Sequence, residues 1–477
     1  MIKTIEIKEF FNKNNLLKNL ILGAGFTFVF FILFYGSFTL FGHNAILYLS
    51  LAIGLVIGLF LLFLLAIRYP ILYLLLALIS IFDPYYAYLT ITQHWEKTII
   101  RASISVIFIL IFSIATLLKG TLKEKLSRIR TPIDKLLILF LIFPLIGIAY
   151  GFFQGYSTRM ILADSFPILE FTAFFFLTTF IIKNEKQAHK IIFGVLIWLL
   201  LIELGEIIFY FFGGYQQLAY QRTLGGMVIK RLCDFMAVIA LLLLMGLYLC
   251  PGSTKKKKLL ILLSFIPLIV LILSFFRSLW MGVIFALIFI LWMVGKYKQC
   301  LKTLILSLII LGAILLSANY FIAPKIFEGK SIFPMILEGA TAIFPTSERA
   351  ELVAEPFNRL VYDWLFLSKI YESPIIGRGL GNEDIGAPSN YYLEIAYKMG
   401  IPALFFFLWI FFVFFKKTIS LFKATPLGLN KGLRLGILSA FIANAIVIIA
   451  FPALSHFPIM AYLGVMGASF FVLKSSS

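Results

Sequence analysis

The feature that most limits what this chain can become is a succession of long apolar runs. Fourteen can be drawn, at roughly 19–41, 45–67, 70–88, 102–118, 136–153, 165–182, 191–212, 229–250, 259–275, 279–295, 303–322, 394–415, 435–453 and 457–473. A helix that crosses the hydrocarbon core of a bilayer needs about 20 such residues. Lipid offers no partner to backbone N–H and C=O groups, so an unbroken run of that length must bond to itself as helix. A membrane barrel would instead show segments of about ten residues that alternate apolar and polar. Hydrophobic residues make up 62% of the 477 and charged residues 13%. A soluble domain sits near half and a quarter, so a single water-soluble globule, a disordered chain and a disulfide scaffold are all excluded. The pattern predicts an all-α polytopic membrane protein with about 12–14 transmembrane helices.

A formal charge of +19 could suggest a nucleic-acid partner, but the placement of the charges argues for orientation instead. With a cytoplasmic N-terminus, alternate connections carry Lys3, Lys8, Lys13, Lys18, Arg68, the 119–135 and 183–190 loops, Lys255 to Lys258, 296–302, 416–434 and Lys474. These hold 27 of the 41 lysines and arginines and only five of the 22 acids. Such asymmetry is what the positive-inside rule requires. It predicts both termini in the cytoplasm and no nucleic-acid role, with attraction to anionic membrane lipids as a by-product. The first run lacks a small-residue cleavage site and reads as a retained span. Cys233, Cys250 and Cys300 form neither an even framework nor a zinc spacing.

One stretch breaks the rhythm. Residues 1–322 carry spans one to eleven and 389–477 the last three. Between them, 323–388 holds six basic and nine acidic residues and faces away from the cytoplasm on this topology. Loops of this length within a compact protein are usually functional. Within it, EPFNRLVYDWLFLSKI places Phe357, Leu360, Val361, Trp364 and Ser368 at helical spacing. That predicts an amphipathic helix lying on the membrane or roofing a cavity, with Arg359 and Asp363 four apart on its flank. Pro374 ends the helix, and Gly377, Gly379 and Gly381 predict a tight, backbone-exposing turn. A nucleotide loop would need a strand before that turn and a helix directly after it, and neither is expected here.

Three features in order, over about 277–401, make the sequence similar to the family of O-antigen ligases and O-antigen polymerases. The first is an arginine at the outer end of a span, Arg277 followed by Ser278. The second is the run from Arg359 and Trp364 through Pro374 to Gly377, Gly379 and Gly381. The third is Ser389, Asn390, Tyr391, Tyr392, Leu393, Gly400 and Ile401 at the entry to the next span. The resemblance implies an integral glycosyltransferase of the bacterial inner membrane, metal-independent, inverting and without a cofactor. It would transfer a glycan from polyprenyl (undecaprenyl) diphosphate to a lipid A core, in ligation, or to another repeat unit, in polymerisation. The chain departs from the family pattern at two places. Ser389 stands where the family has a histidine thought to activate the acceptor, and Lys398 stands where it often has an acid.

Loss of a diphosphate leaving group concentrates negative charge, which suits arginine: it stays protonated and bonds phosphate oxygens bidentately. An arginine at membrane depth is costly and so points to function. Arg277, Arg222 and Arg359 are the leading candidates to bind diphosphate, with Lys230, Arg231 and Arg378 as further options. The three arginines are expected to converge on one outward cavity bordered by Asn390. Candidate bases are His456, His94, Glu383, Asp384 and Glu394. His43 and His189 read as loop residues away from the site. Glu203 and Glu206 share one face of a span, and Asp164 and Glu170 border another. The Glu203 and Glu206 pair keeps open a transporter or flippase of lipid-linked glycan, and the missing histidine keeps open an inactive family member. No outer acidic cluster has metal spacing. The topology carries a direct test: a reporter fused near Glu348 is expected to be active only if it folds outside the cytoplasm, and cytoplasm-only activity overturns the arrangement.

Overall fold

The computed structural model describes residues 45–81, 106–112, 114–115, 131–212, 220–224, 227–231, 236–250, 254–274, 277–295, 363–382, 390–450 and 459–473. Among them, long apolar sequence has become helix, as lipid requires. In chain order the elements are α1 (Ala45–Arg68), α2 (Pro70–Ile81), α3 (Asp134–Phe140), α4 (Ile142–Phe153), α5 (Thr158–Ile181) and α6 (Glu185–Phe212). Then come β1 (Tyr220–Leu224), β2 (Met227–Arg231), α7 (Met236–Leu249), α8 (Thr254–Ser274) and α9 (Arg277–Val294). A helix over 363–372, here α10, follows. The last four are α11 (Tyr391–Met399), α12 (Ile401–Ala424), α13 (Leu429–Ala450) and α14 (Ile459–Val472).

Six helical stretches among the described residues are long and apolar enough to cross a membrane: Asp134–Phe153, Thr158–Ile181, Glu185–Ile208, Lys257–Ser274, Ile401–Ala424 and Leu429–Ile449. The chain is thus a helical protein of membrane-spanning character. The all-α expectation needs one amendment, because β1 and β2 pair as an antiparallel hairpin with Tyr220 opposite Arg231 and Leu224 opposite Met227. The dipeptide Gly225-Gly226 between them is a hairpin signal that the hydropathy reading passed over.

The chain divides into two compact units, one of Met1–Leu74 with Phe108–Leu122, the other of Leu75–Ile107 with Lys123–Ser477. In the first, Tyr73 packs its ring 5.2 Å from that of Phe108 and 6.3 Å from that of Phe112, and its hydroxyl donates to the Phe108 carbonyl. In the second, the core is built where small residues let helices approach closely. A Cβ at Gly436 would stand 2.7 Å from Leu243 Cα of α7, and one at Gly282 of α9 would stand 2.7 Å from the Ala443 carbonyl. Helix α13 is therefore clamped between α7 and α9, and it is buried over most of its length.

The twelfth predicted run, 394–415, is not one span. Gly400 adopts φ +87° and separates α11 from α12, and proline lies in the first turn of α12. Proline fits a helix start, where its missing N–H costs nothing. The spanning helix therefore begins at Ile401, and α11 stands before it as a separate element.

The same unit is tied together at the ends of α12, α13 and α14 by one fully buried arginine. Arg434 donates to the Leu421 carbonyl at 3.0 Å, to the Thr425 hydroxyl and to the Leu473 carbonyl, and stacks 5.4 Å over the Phe470 ring. It thereby closes the orphan carbonyls at the C-terminal ends of two helices. Arg434→Met is expected to lower stability by about 1.5–3 kcal/mol for each charged hydrogen bond left unmade. Thermal unfolding in detergent, with hydrogen exchange over α14, checks this.

Candidate functional site

The glycine-rich segment that joins α10 to the later helices is a clasp rather than a cradle. Gly377, Gly379 and Gly381 have φ of 76°, 91° and 88°, a region favouring glycine. The turn keeps its backbone donors to itself. The Gly377 N–H bonds Ser373 O at 3.1 Å, the Arg378 N–H Tyr397 O at 2.7 Å, and the Gly379 N–H Lys398 O at 3.0 Å. The Leu380 N–H bonds Gly147 O at 3.1 Å and the Gly381 N–H the Asp164 Oδ2 at 2.7 Å. Five successive donors are thus satisfied within the protein, which corrects the expectation of exposed backbone. None of them is left over for a phosphate oxygen. The glycines serve contact instead: a Cβ at Gly377 would fall 2.6 Å from the Lys398–Gly400 backbone, and one at Gly381 would fall 2.7 Å from Ile161.

Beneath the clasp lies a buried charged cluster. Lys398 of α11 places its ammonium 2.7 Å from Asp164 Oδ1 of α5 and 2.8 Å from Glu394 Oε1, one turn earlier on its own helix. All three side chains are largely shielded, at 8%, 14% and 9% exposed for Lys398, Asp164 and Glu394. Burial pulls the Lys398 ammonium toward deprotonation, but the charges of Asp164 and Glu394 outweigh it and hold it above the ordinary lysine range. Burial pushes the Glu394 carboxyl above the usual range, with Lys398 opposing and Asp164 adding. Glu394 Oε2 is buried and has no hydrogen-bond partner among the described residues. Next to the cluster, Tyr397 donates to Asn382 Oδ1 at 2.7 Å, and Asn382 donates to the Tyr156 hydroxyl at 2.6 Å. The buried Tyr391 feels both carboxylates, and desolvation raises its hydroxyl further.

Of the residues expected at the site from sequence, Asn390 caps α11, its side-chain oxygen accepting from the Tyr392 N–H at 2.9 Å. The Tyr392 hydroxyl donates to Ala445 O of α13 at 3.0 Å, and burial pushes it up to about 12. Glu394 lies in the charged cluster. Arg277 is the first residue of α9, and Arg222 sits on β1 opposite Ile229, with Lys230 and Arg231 on β2. Arg359, Ser389, Glu383, Asp384, His94, His43 and His456 lie outside the described residues, as do the side chains of Arg222 and Arg277. The expected convergence of the three arginines therefore also lies outside them. Arg378 is paired with Glu372. His189 meets Asn430 at 2.7 Å. Glu170, Glu203 and Glu206 are buried within α5 and α6, and each has an interaction partner.

The described part of the amphipathic helix turns a second apolar stripe toward the protein. Trp364 is 73% exposed, whereas Phe366 and Ile370 point inward against Ala396 and Tyr397 of α11. The ring of Phe366 meets that of Tyr397 edge-on at 5.0 Å. Sequence reasoning assigned no site role to Asp164, Tyr156, Asn382 or Tyr397. An acid inside an apolar stretch was the signal for Asp164, and the lysine four residues after Glu394 was the signal for its partner. No family model matches this chain, and no curated protein matches its sequence.

The cluster makes a clear demand on Lys398. Lys398→Met leaves Asp164 and Glu394 buried without their cation, and breaking such a pair costs about 3–5 kcal/mol. A lower unfolding temperature of the purified protein is expected. Asp164→Asn, which removes one of the two carboxylates, should lessen the penalty in the double variant.

Proposed function

We propose that this chain is a membrane glycosyltransferase. It moves a glycan from polyprenyl diphosphate to an acceptor hydroxyl at the outer face of a bacterial inner membrane, with both termini in the cytoplasm. The acceptor oxygen attacks the anomeric carbon as the bond to the diphosphate breaks, which inverts the linkage and needs no metal. The observation that carries this reading is the assembly of two separate motif segments into one unit. The Pro374–Gly381 turn and the Asn390–Ile401 segment are clasped together, with Ile401 N–H donating to Pro374 O at 2.7 Å and Gly377 pressed on the backbone before Gly400. These are the segments on which the resemblance to O-antigen ligases and polymerases rests, and a buried ionisable cluster lies directly below them. Buried ionisable groups with shifted proton affinities cluster at functional sites.

In this reading Arg277 binds the leaving diphosphate, aided by Arg222 and Arg359. The acceptor is either a lipid A core or the end of another repeat unit. A second reading has its own support: the burial of Glu203 and Glu206 on one face of α6 and of Glu170 in α5 suits a path for cations or for lipid-linked glycan.

Gene deletion tests these readings together. Ligase loss is expected to leave the surface without polymeric glycan and to strand long chains on the lipid carrier. Polymerase loss should leave single repeat units on the surface. A transporter instead strands lipid-linked glycan on the cytoplasmic face, which would overturn the enzyme reading. In the complemented strain Arg277→Ala should abolish transfer with insertion intact, and Arg277→Lys should recover little because a point charge lacks the bidentate fork.

A further inference from the structure

A transferase that activates an acceptor hydroxyl needs a group to receive its proton, and Ser389 cannot be that group at neutral pH. Residue 389 immediately precedes the N-cap of α11, and Glu394 lies one helical turn beyond Asn390, its N–H bonded to the Asn390 carbonyl at 3.1 Å. Positions four apart on a helix share a face, so the Glu394 carboxyl stands below the very end of the helix where the motif begins. Its two oxygens differ. Oε1 is anchored on Lys398 at 2.8 Å, while Oε2 is buried with no hydrogen-bond partner among the described residues. A buried carboxylate oxygen without a donor is costly in a native protein and calls for a reason. We propose that Glu394 is the general base of this transfer, with Oε2 receiving the acceptor proton and Lys398 and Asp164 acting as positioning residues behind it.

The assignment rests on the glycosyltransferase reading above. The electron pair of the acceptor O–H bond is released to the acceptor oxygen as its proton passes to Oε2. The new bond forms to the anomeric carbon, and the pair of the breaking bond leaves on the polyprenyl diphosphate oxygen. Glu394 later gives its proton to water. The geometry supports each need of a base. Burial raises the affinity of the carboxyl for a proton, and the ammonium at Oε1 opposes it by favouring the ionised form. Asp164 accepts from both Lys398 and the Gly381 N–H, so it holds the lysine on α11 and the clasp above it in one position. Among the described residues, the charges acting on Glu394 are Lys398 on its own helix and Asp164 from α5, with the Tyr391 hydroxyl coupled to both carboxylates. Helix α4, packed on the same side, carries no charged side chain. Arg378 of the clasp is engaged with Glu372. The charged residues of α12 and α13 lie more than two helical turns from their contacts with α11.

The test uses membranes of cells making the full chain, with their own donor and acceptor, and measures glycan transfer from about pH 4 to pH 9. Wild type is expected to show an acid limb. Glu394→Gln should lose roughly 10²- to 10⁴-fold in rate and show no such limb in what remains, while Glu394→Asp should keep the limb at an intermediate rate. Asp164→Asn retains an acceptor for the Gly381 N–H but removes a negative charge that raises Glu394, so its limb should move to lower pH. A Glu394→Gln rate within threefold of wild type, or an unmoved limb in it, overturns the assignment. If both Glu394 variants fail to accumulate as folded protein, the Asp164→Asn limb decides, and an unmoved limb overturns the proposal. Failure of the underlying reading is separate, since wild-type membranes would then transfer no more glycan than membranes lacking the gene.

Discussion

The Lys398 ammonium, held between Asp164 and Glu394, is the interaction on which the described site depends. Taking three charges out of water is expensive, and their mutual attraction repays that cost only when geometry is good and the remaining lone pairs find donors. Here Asp164 uses both oxygens, one for Lys398 and one for the Gly381 N–H. The ion pair therefore joins α5, α11 and the glycine clasp, three pieces from distant parts of the sequence. Removing any member would release the others as well as its own bond. Among the described residues, Glu394 Oε2 is the one carboxylate oxygen of the triad without a hydrogen-bond partner.

Close backbone approach is the second constraint, and it follows from the first. A lysine that reaches Asp164 across the clasp requires the clasp to lie nearly in contact with the backbone of residues 398–400. Gly377 meets that need because any Cβ there would fall 2.6 Å from main-chain atoms that cannot move aside. Gly400 meets it from the other side, with a positive φ that also divides α11 from α12. The break matters mechanically. A continuous helix from 391 to 424 would carry Glu394 and Lys398 along the axis of α12, whereas the break lets α11 set its own direction against α4 and α5.

The helices were legible because hydrophobicity along the chain is a local property: a run such as 401–424 can be read without knowing its neighbours. Its start was misplaced by seven residues because Ile395, Ala396 and Tyr397 extend the apolar count, although Gly400 and Pro402 mark the true boundary. The hairpin at 220–231 was missed for the converse reason, since short alternating strands are a weak signal beside long spans. The site was legible only where its parts are near in sequence, as with Glu394, Lys398 and the glycines. Asp164 lies 234 residues from Lys398, and no spacing rule spans that distance. Periodicity put Trp364 on an apolar stripe facing the membrane or roofing a cavity. Periodicity finds a stripe but cannot say which of two apolar stripes meets protein, and here Phe366 and Ile370 do.

The two departures from the resembling family's pattern can be understood as one. An acid is expected at the place of Lys398 and a histidine at that of Ser389. Reversing a charge in a buried site is tolerable only if its surroundings reverse with it, because an unpaired ion there would be far less stable than a paired one. Glu394 and Asp164 supply that reversal around Lys398. The exchange moves the carboxylate from residue 398 to residue 394, one turn closer to the cap at Asn390 and to the empty histidine position. A buried carboxylate anchored by a cation at one oxygen has a proton affinity that a serine hydroxyl lacks. On the proposed reading, lysine at 398 and serine at 389 are linked, because Lys398 anchors the carboxylate that serves where the resembling family has its histidine.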